Sequence, residues 1–314
     1  LVRIGFGLGE APLSPAVLSL YGRWIPEKER SRAVAVYSSA AIAGTIAALV
    51  ITGFAVAKFG WQAIFYAFGG LGLIYALWLN HAVHESPETH PHISVEEKML
   101  LANSAPPEGR SPIPWRQLGT LAPVWALFIT FFCTSWSLYV FLSWMPSYFA
   151  SEHGLDISSA GVYTMAPWAV MFIMMNVAGW VADGLVARSL HITVVRKLMQ
   201  SIGLLGSAIF LFITRSVTTP DMALLSLSGA LGLLAFAYSG AAPNVLDIAP
   251  RFGGVLFGVM NTLGTLPGII GVAMAGWLVE TTGSYDSVLL LAGVISVVGA
   301  AVYIVFGTAE QLID

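Results

Sequence analysis

Charge is scarce in this chain. Of 314 residues, 14 are Lys or Arg and 17 are Asp or Glu, 10% in all, where soluble domains carry about 25%. With 57% hydrophobic residues and a mean hydropathy of +0.79, this excludes an ordinary soluble domain and points to a polytopic membrane protein. A net charge of −3 argues against a nucleic-acid partner. Cys133 is the single cysteine, so no disulfide can form within the chain. No His lies near it in sequence to activate it as a nucleophile. No Gly-x-Ser-x-Gly or His-Glu-x-x-His pattern occurs, so nothing argues for an enzyme and no cofactor is implied. No signal or transit peptide is seen. The chain opens at Leu1 inside an apolar segment and is expected to be a piece of a longer protein.

What is abundant is uncharged length. A spanning helix needs about 20 apolar residues. Leu1–Leu20 holds only Arg3 and Glu10, and 25 uncharged residues separate Arg32 from Lys58. Lys58 to Glu85 is uncharged apart from its histidines. Arg116 to Glu152 encloses 35 residues, enough for a span plus a short interfacial turn near Pro146. Further runs follow at Ile157–Ala182, Leu198–Thr214, Met222–Leu246, Phe252–Val279 and Ser287–Ala309. The expectation is an all-α membrane protein with nine spans, the Leu198–Thr214 span being short.

Residues 82–117 differ from the rest. Pro87, Pro91, Pro106, Pro107, Pro112 and Pro114, three histidines and most acids of this half lie here, the mark of a hydrophilic linker. Ser94 with Glu97 reads as a capping box for a short surface helix, Val95–Asn103. The spacing of His84, His90 and His92 fits no helical zinc pair, so a solvated linker is the reading. Three spans (1–81) precede the linker, six (118–307) follow it, and 308–314 form a tail. Eleven basic residues fall at one set of span ends and two, Lys58 and Arg215, at the other. The positive-inside rule puts the larger group and the linker on the cytosolic side or its equivalent. Arg32 precedes Gly44-Thr45 as Arg251 precedes Gly264-Thr265, which suggests two parallel repeats of six spans, with three missing ahead of Leu1.

Arg3 and Glu10 stand out. A spacing of seven is two helical turns, so they share one face about 10 Å apart along the axis. Charges within spans usually point into a bundle or a wet cavity. Arg3 either serves an anion site or snorkels to the interface. Glu10 lies deeper, and taking up a proton is the expected response of a carboxylate in an apolar place. Such a group suits proton coupling, or else bonds a neighbouring helix. Gly5, Gly7 and Gly9 beside the pair are read as sites of close helix approach.

Six spans, a linker and six spans is the plan of the major facilitator superfamily, and local motifs narrow the resemblance. Arg3-Ile-Gly-Phe-Gly-Leu-Gly-Glu10-Ala-Pro-Leu-Ser-Pro15 resembles the fourth span of its anion:cation symporter branch. Trp24-Ile-Pro-Glu-Lys-Glu-Arg30-Ser-Arg32 resembles the loop that follows, Glu85-Ser-Pro87-Glu-Thr-His90 the start of the linker, and Asp247-Ile-Ala-Pro250-Arg251 the loop after the tenth span. The branch includes sialin, vesicular glutamate transporters and plant plastid phosphate transporters. The resemblance implies nine of twelve facilitator helices here, with Arg3 binding the anion and Glu10 coupling. Vesicular glutamate transporters carry an arginine where this chain has Thr134, which argues against a dicarboxylate. Leu142-Ser-Trp144-Met-Pro146-Ser-Tyr148 is more similar to the plastid phosphate transporters.

Other candidates are weaker. Thr134, Ser135 and Tyr139 either line a cavity or pack and bond the backbone. Ser135 and Tyr139, four apart, share a face. Asn244 contacts either substrate or a neighbouring helix. Asn176, Gly179 and Asp183 resemble a facilitator latch pattern, whose alternative is a solvated helix end. Asp247 and Arg251 would form an equivalent gate, with Arg30 and Arg32 as candidate partners of the acids. Most Trp and Tyr are read as belt or core, Trp144 and Tyr148 being the exceptions to watch. The expected function is a secondary active transporter of a small anion, phosphate first and an organic monoanion second, driven by a proton or sodium gradient. The alternative is an anion-sensing receptor or scaffold on the same fold.

Overall fold

The computed structural model describes residues 58–84, 93–102, 113–249 and 252–313 without interruption. It also describes 2–11, 43–48 and scattered positions up to 56, with 87 and 90. Among the described residues every regular element is helical. The chain divides into two compact units, Leu1–Pro112 and Ile113–Asp314. The helices are α1 Val2–Glu10, α2 Trp61–Ala82, α3 Val95–Ala102, α4 Trp115–Thr120, α5 Ala122–His153, α6 Ile157–Ala187, α7 Ile192–Thr214, α8 Pro220–Ala237, α9 Ala241–Ile248, α10 Gly253–Thr265, α11 Pro267–Thr282 and α12 Asp286–Phe306.

Seven helical stretches among the described residues are long and apolar enough to cross a membrane. They coincide with the last seven of the nine uncharged runs; the first two runs fall on partly described sequence. The protein is an integral, multi-pass membrane protein.

In the first unit, α2 runs for 22 residues and buries none of them, with Tyr66 81% and Leu77 73% exposed. An apolar helix open all round needs lipid or protein against it. The short helix α3 begins as its capping box predicts: the Glu97 N–H donates to Ser94 Oγ at 3.1 Å. It ends at Ala102, next to the expected Asn103. Trp24 Nε1 donates to His84 O (3.0 Å), and the His84 and His90 rings meet edge to face with centroids 4.7 Å apart. His92 lies outside the described residues.

The second unit is a bundle of six spans. α8 packs on α6 and α7, α12 on α5 and α7, and α10 and α11 on α5. Lipid tails are as apolar as leucine, so close packing rather than hydrophobicity drives this assembly, and small residues carry it. A Cβ on Gly203 of α7 would sit 2.5 Å from the Ala237 backbone nitrogen at the end of α8. One on Gly299 of α12 would sit 2.5 Å from Cys133 Cβ of α5.

Three span details depart from the linear reading. α5 continues through Pro146 for 32 residues, without the expected interfacial turn. It stops at Gly154, whose left-handed φ of 63° lets its N–H reach Phe149 O. α7 begins at Ile192 and is not short, because Arg196 and Lys197 lie inside the helix and reach acceptors on neighbouring elements. The span Pro220–Ile248 is broken: Tyr238, Ser239 and Gly240 interrupt it between α8 and α9.

Candidate functional site

In the first unit the backbone of Arg3 and Glu10 lies on one continuous helix, α1, with Glu10 its last residue. The Ala11 N–H closes the final turn on Gly7 O at 3.0 Å. Glu10 is exposed, and the Arg3 side chain lies outside the described residues. Gly5, Gly7 and Gly9 are exposed too. A Cβ at any of them would meet nothing within 4 Å among the described residues. The close approach expected of these glycines therefore has no partner within the described part of the unit. Arg30 and Arg32 also lie outside it.

In the second unit the break in the span Pro220–Ile248 frees backbone groups, and α7 answers them with side chains. Gln200 is fully buried. Its Oε1 accepts the Ala241 N–H at 3.1 Å, the first of α9. Its Nε2 donates to Thr130 Oγ1 (2.9 Å) and Thr134 Oγ1 (3.1 Å) on α5. One amide thus joins three elements with its donors and acceptor used, as a buried polar group must. Gly240 makes room: a Cβ there would be 2.7 Å from Gln200 Oε1. One turn earlier, Arg196 donates from Nε to Asp247 Oδ2 (2.8 Å), from Nη2 to Oδ1 (3.4 Å) and from Nη1 to Ser239 O (3.2 Å). A single guanidinium thereby holds both sides of the break. Asp247 was expected to meet Arg251, Arg30 or Arg32. The guanidinium that faces it is Arg196, and Arg251 lies outside the described residues.

The tail is tied to the same place. The Leu312 and Ile313 N–H groups both donate to Ile248 O, at 2.8 and 3.2 Å. The Ala309 N–H donates to Thr193 Oγ1 at 3.0 Å, and Lys197 Nζ to Ile304 O at 2.7 Å. At the opposite end, Arg215 after α7 forks onto Asp286 of α12 at 2.6 and 2.8 Å, exposed to solvent.

The remaining candidates fall into place around this frame. Thr134 is buried and returns its own proton to Thr130 O (2.9 Å), so its hydroxyl serves helix packing. Asn244 is buried and donates to Tyr303 Oη (2.7 Å) on α12 and to Thr308 O (2.9 Å) in the tail, while its Oδ1 has no hydrogen-bond partner among the described residues. Ser135 is buried, its Oγ 3.2 Å from where a Cβ on Gly264 would stand. Tyr139 is half-buried with its ring against Gly268. Asp183 is exposed on α6 and makes no ion pair among the described residues, while Asn176 bonds Phe172 O in its own helix. Trp144 donates to Val272 O of α11 at 3.1 Å, and the Tyr148 hydroxyl meets His153 Nε2 at 3.2 Å, so both are engaged at the end away from the basic loops. Arg196 and Gln200 were missed by the linear reading. The signal was present: Thr193, Arg196 and Gln200 form a polar row, three and four apart, along the first half of α7.

A six-span bundle with one span broken and pinned by an arginine and a glutamine defines a polytopic helical membrane protein. The chain belongs to the Major Facilitator Superfamily, whose family profile matches residues 1–195. Its relatives place it in the anion:cation symporter branch. It is 40% identical over 316 residues to "Ascorbate transporter, chloroplastic" of Arabidopsis thaliana, covering 100% of this chain and 58% of that protein. It is 39% identical to "Sodium-dependent phosphate transport protein 1, chloroplastic" of the same plant, covering 100% and 61%. It is 32% identical to the mouse (Mus musculus) "Voltage-gated purine nucleotide uniporter SLC17A9", covering 99% and 68%. The chain thus spans about three fifths of the length of these plant relatives. Among solved structures it resembles a D-xylose–proton symporter, with TM-score 0.69 at 19% identity over 93% of this chain and 67% of that one. It also resembles an inward-facing bacterial homologue of the human lysosomal transporter Spinster, with TM-score 0.67 at 18% identity over 96% and 76%. At such identities these structures speak for the fold alone.

Proposed function

We propose that the complete protein is a secondary active transporter that moves a small anion against its gradient by coupling to protons or sodium ions. The observation that carries this reading is the pairing of Arg3 and Glu10 on one face of a single apolar helix, a cation for the solute and a carboxylate for the coupling ion. The relatives' names support the anion. Ascorbate, phosphate and purine nucleotide share oxyanion chemistry and little else. In the second unit every described charge of the spans lies near a span end, among them Arg196, Lys197, Asp183 and Asp247 at one and Arg215, Asp221, Glu280 and Asp286 at the other. With no second cation at mid-span, that half suits a monoanion better than a dicarboxylate. Phosphate and an organic monoanion such as ascorbate are the substrates to try first. The two halves would rock about a midplane site, as in other repeat-built transporters.

The test is uptake of labelled phosphate and of ascorbate into proteoliposomes holding the complete gene product, under an imposed proton or sodium gradient. Glu10→Gln is expected to abolish accumulation and to keep counterflow exchange, because a neutral amide cannot cycle a proton. Arg3→Ala is expected to lose both. Concentrative uptake unchanged in both variants would overturn the assigned roles. Binding without flux would favour a receptor.

A further inference from the structure

Past Phe306 the chain does not leave the bundle. α12 ends there, and residues 307–313 cross the basic end of the second unit as a strap without regular structure. The strap has two faces. Glu310 and Gln311 are exposed, while Ile313 is buried and Leu312 half-buried. Ile313 joins the core formed by Leu118, Val245, Ile248 and Tyr303, and Ile113 from the end of the linker packs on the same core.

Four hydrogen bonds fasten it to two other helices. Thr308 O accepts from Asn244 Nδ2 of α9 (2.9 Å), and the Ala309 N–H donates to Thr193 Oγ1 of α7 (3.0 Å). The Leu312 and Ile313 N–H groups close on Ile248 O of α9 at 2.8 and 3.2 Å. Ile248 is the last residue of α9, so its carbonyl is one of the end acceptors that a helix cannot satisfy by itself. The strap supplies the missing donors.

What the strap holds is a hinged piece. α9 has eight residues, and Tyr238, Ser239 and Gly240 separate it from α8. Its first N–H rests on Gln200 Oε1 beside the break. The strap and Arg196 take hold of its other end, about 10 Å along the axis. A pivot at one end and a fastening at the other make a lever. All four strap bonds are between neutral groups. Such bonds exchange for water at little net cost, so they can break and reform.

We propose that residues 307–313 are a releasable strap: docked, they hold the far end of α9 still, and they must lift from Ile248 O before α9 can swing about the break. The strap thereby sets how often this end of the bundle rearranges. The inference goes beyond the transport reading and uses flux as only one of its readouts.

Thr193→Cys with Ala309→Cys, made in the complete protein, tests the strap as a lock. Cys133 is buried and stays out of the reaction. Mild oxidation in native membranes is expected to cross-link the pair. The cross-link should slow hydrogen–deuterium exchange over residues 245–249 several-fold and stop uptake of labelled phosphate or ascorbate into proteoliposomes, and a reductant should reverse both. Leu312→Pro removes one of the two N–H groups on Ile248 O, and Ile313→Asp puts a charge where the strap is anchored. Each is expected to quicken exchange over 245–249 several-fold. Should Ile313→Asp fail to fold, Leu312→Pro still decides, because its ring stays apolar at a half-buried place. Cross-linked protein that exchanges and transports like the reduced form would overturn the proposal, and so would unchanged exchange in Leu312→Pro. Exchange that responds as expected in a protein moving neither anion would support the strap and overturn the transport reading instead.

Discussion

Arg196 and Asp247, 51 positions apart, face each other as a fork of two hydrogen bonds at 2.8 and 3.4 Å, with the third arm of the guanidinium on Ser239 O. Their side chains are 16% and 19% exposed. Breaking a buried pair from one side costs about 3–5 kcal/mol, and the solvent that still reaches this one lowers the figure to roughly 2–3. Arg196→Ala and Asp247→Ala are each expected to lower the thermal midpoint of the detergent-purified protein. The double variant should fall by less than the sum. Arg196→Lys should recover little, because an ammonium cannot span both carboxylate oxygens and the carbonyl. Additive losses in that cycle would show that the two residues do not act as a pair.

Gln200 is the second pin. Gln200→Leu keeps the volume but leaves the Ala241 N–H without its acceptor and two threonine hydroxyls without their donor. A buried donor left unmet costs about 1–3 kcal/mol. Hydrogen–deuterium exchange over residues 239–245 should quicken markedly in this variant, with the far end of α8 unaffected. Equal exchange in both proteins would remove Gln200 from the break.

Glycine positions should split by neighbourhood. Gly203→Ala puts a methyl 2.5 Å from a backbone nitrogen that belongs to another helix and cannot turn aside. Overpacking of this kind costs about 1–3 kcal/mol. Gly184, exposed near the end of α6, has nothing within 4 Å of a Cβ. Gly184→Ala is expected to be neutral or to stabilise by up to about 1 kcal/mol through helix propensity. Thermal unfolding of the two variants side by side is the measurement.

Burial raises the Tyr285 phenol above its ordinary value; hydrogen bonds with Ser147 and Ser151 pull the other way and the nearby Glu152 adds to the rise. Because the folded state holds this proton more tightly than the unfolded chain, its contribution is complete below the ordinary phenol value of 10.0 and declines as pH rises beyond it. Tyr285→Phe is expected to flatten the alkaline loss of thermal stability above about pH 10. An alkaline limb of the same slope in both proteins would assign it to other groups.

Much of the architecture was legible in the linear chain because hydropathy is a local sum. The last seven uncharged runs became seven spanning stretches, and Ser94 with Glu97 opened the helix they announced. The errors have local causes. The start of α7 was set too late because Arg196 and Lys197 were taken as loop charges, whereas both lie in the helix and reach acceptors elsewhere. Pro146 was expected to mark a turn, yet α5 passes through it. The break at Tyr238–Gly240 was not foreseen, although Pro243 cannot donate to Ser239 O and so frees the carbonyl that Arg196 takes up.

The amino-acid order by itself determined that this protein lives in a membrane, roughly where its spans lie, which family it belongs to, and that Arg3 and Glu10 share one helix. Each of these depends on neighbours in sequence or on matching motifs. Folding alone decided which polar groups are spent on structure and which stay open. Thr134 meets Gln200 across 66 positions and Asn244 meets Tyr303 across 59, while the buried Asn244 Oδ1 has no hydrogen-bond partner among the described residues. A hydrogen bond needs its partner within about 3 Å, and only helix packing brings residues that far apart in the chain to that distance.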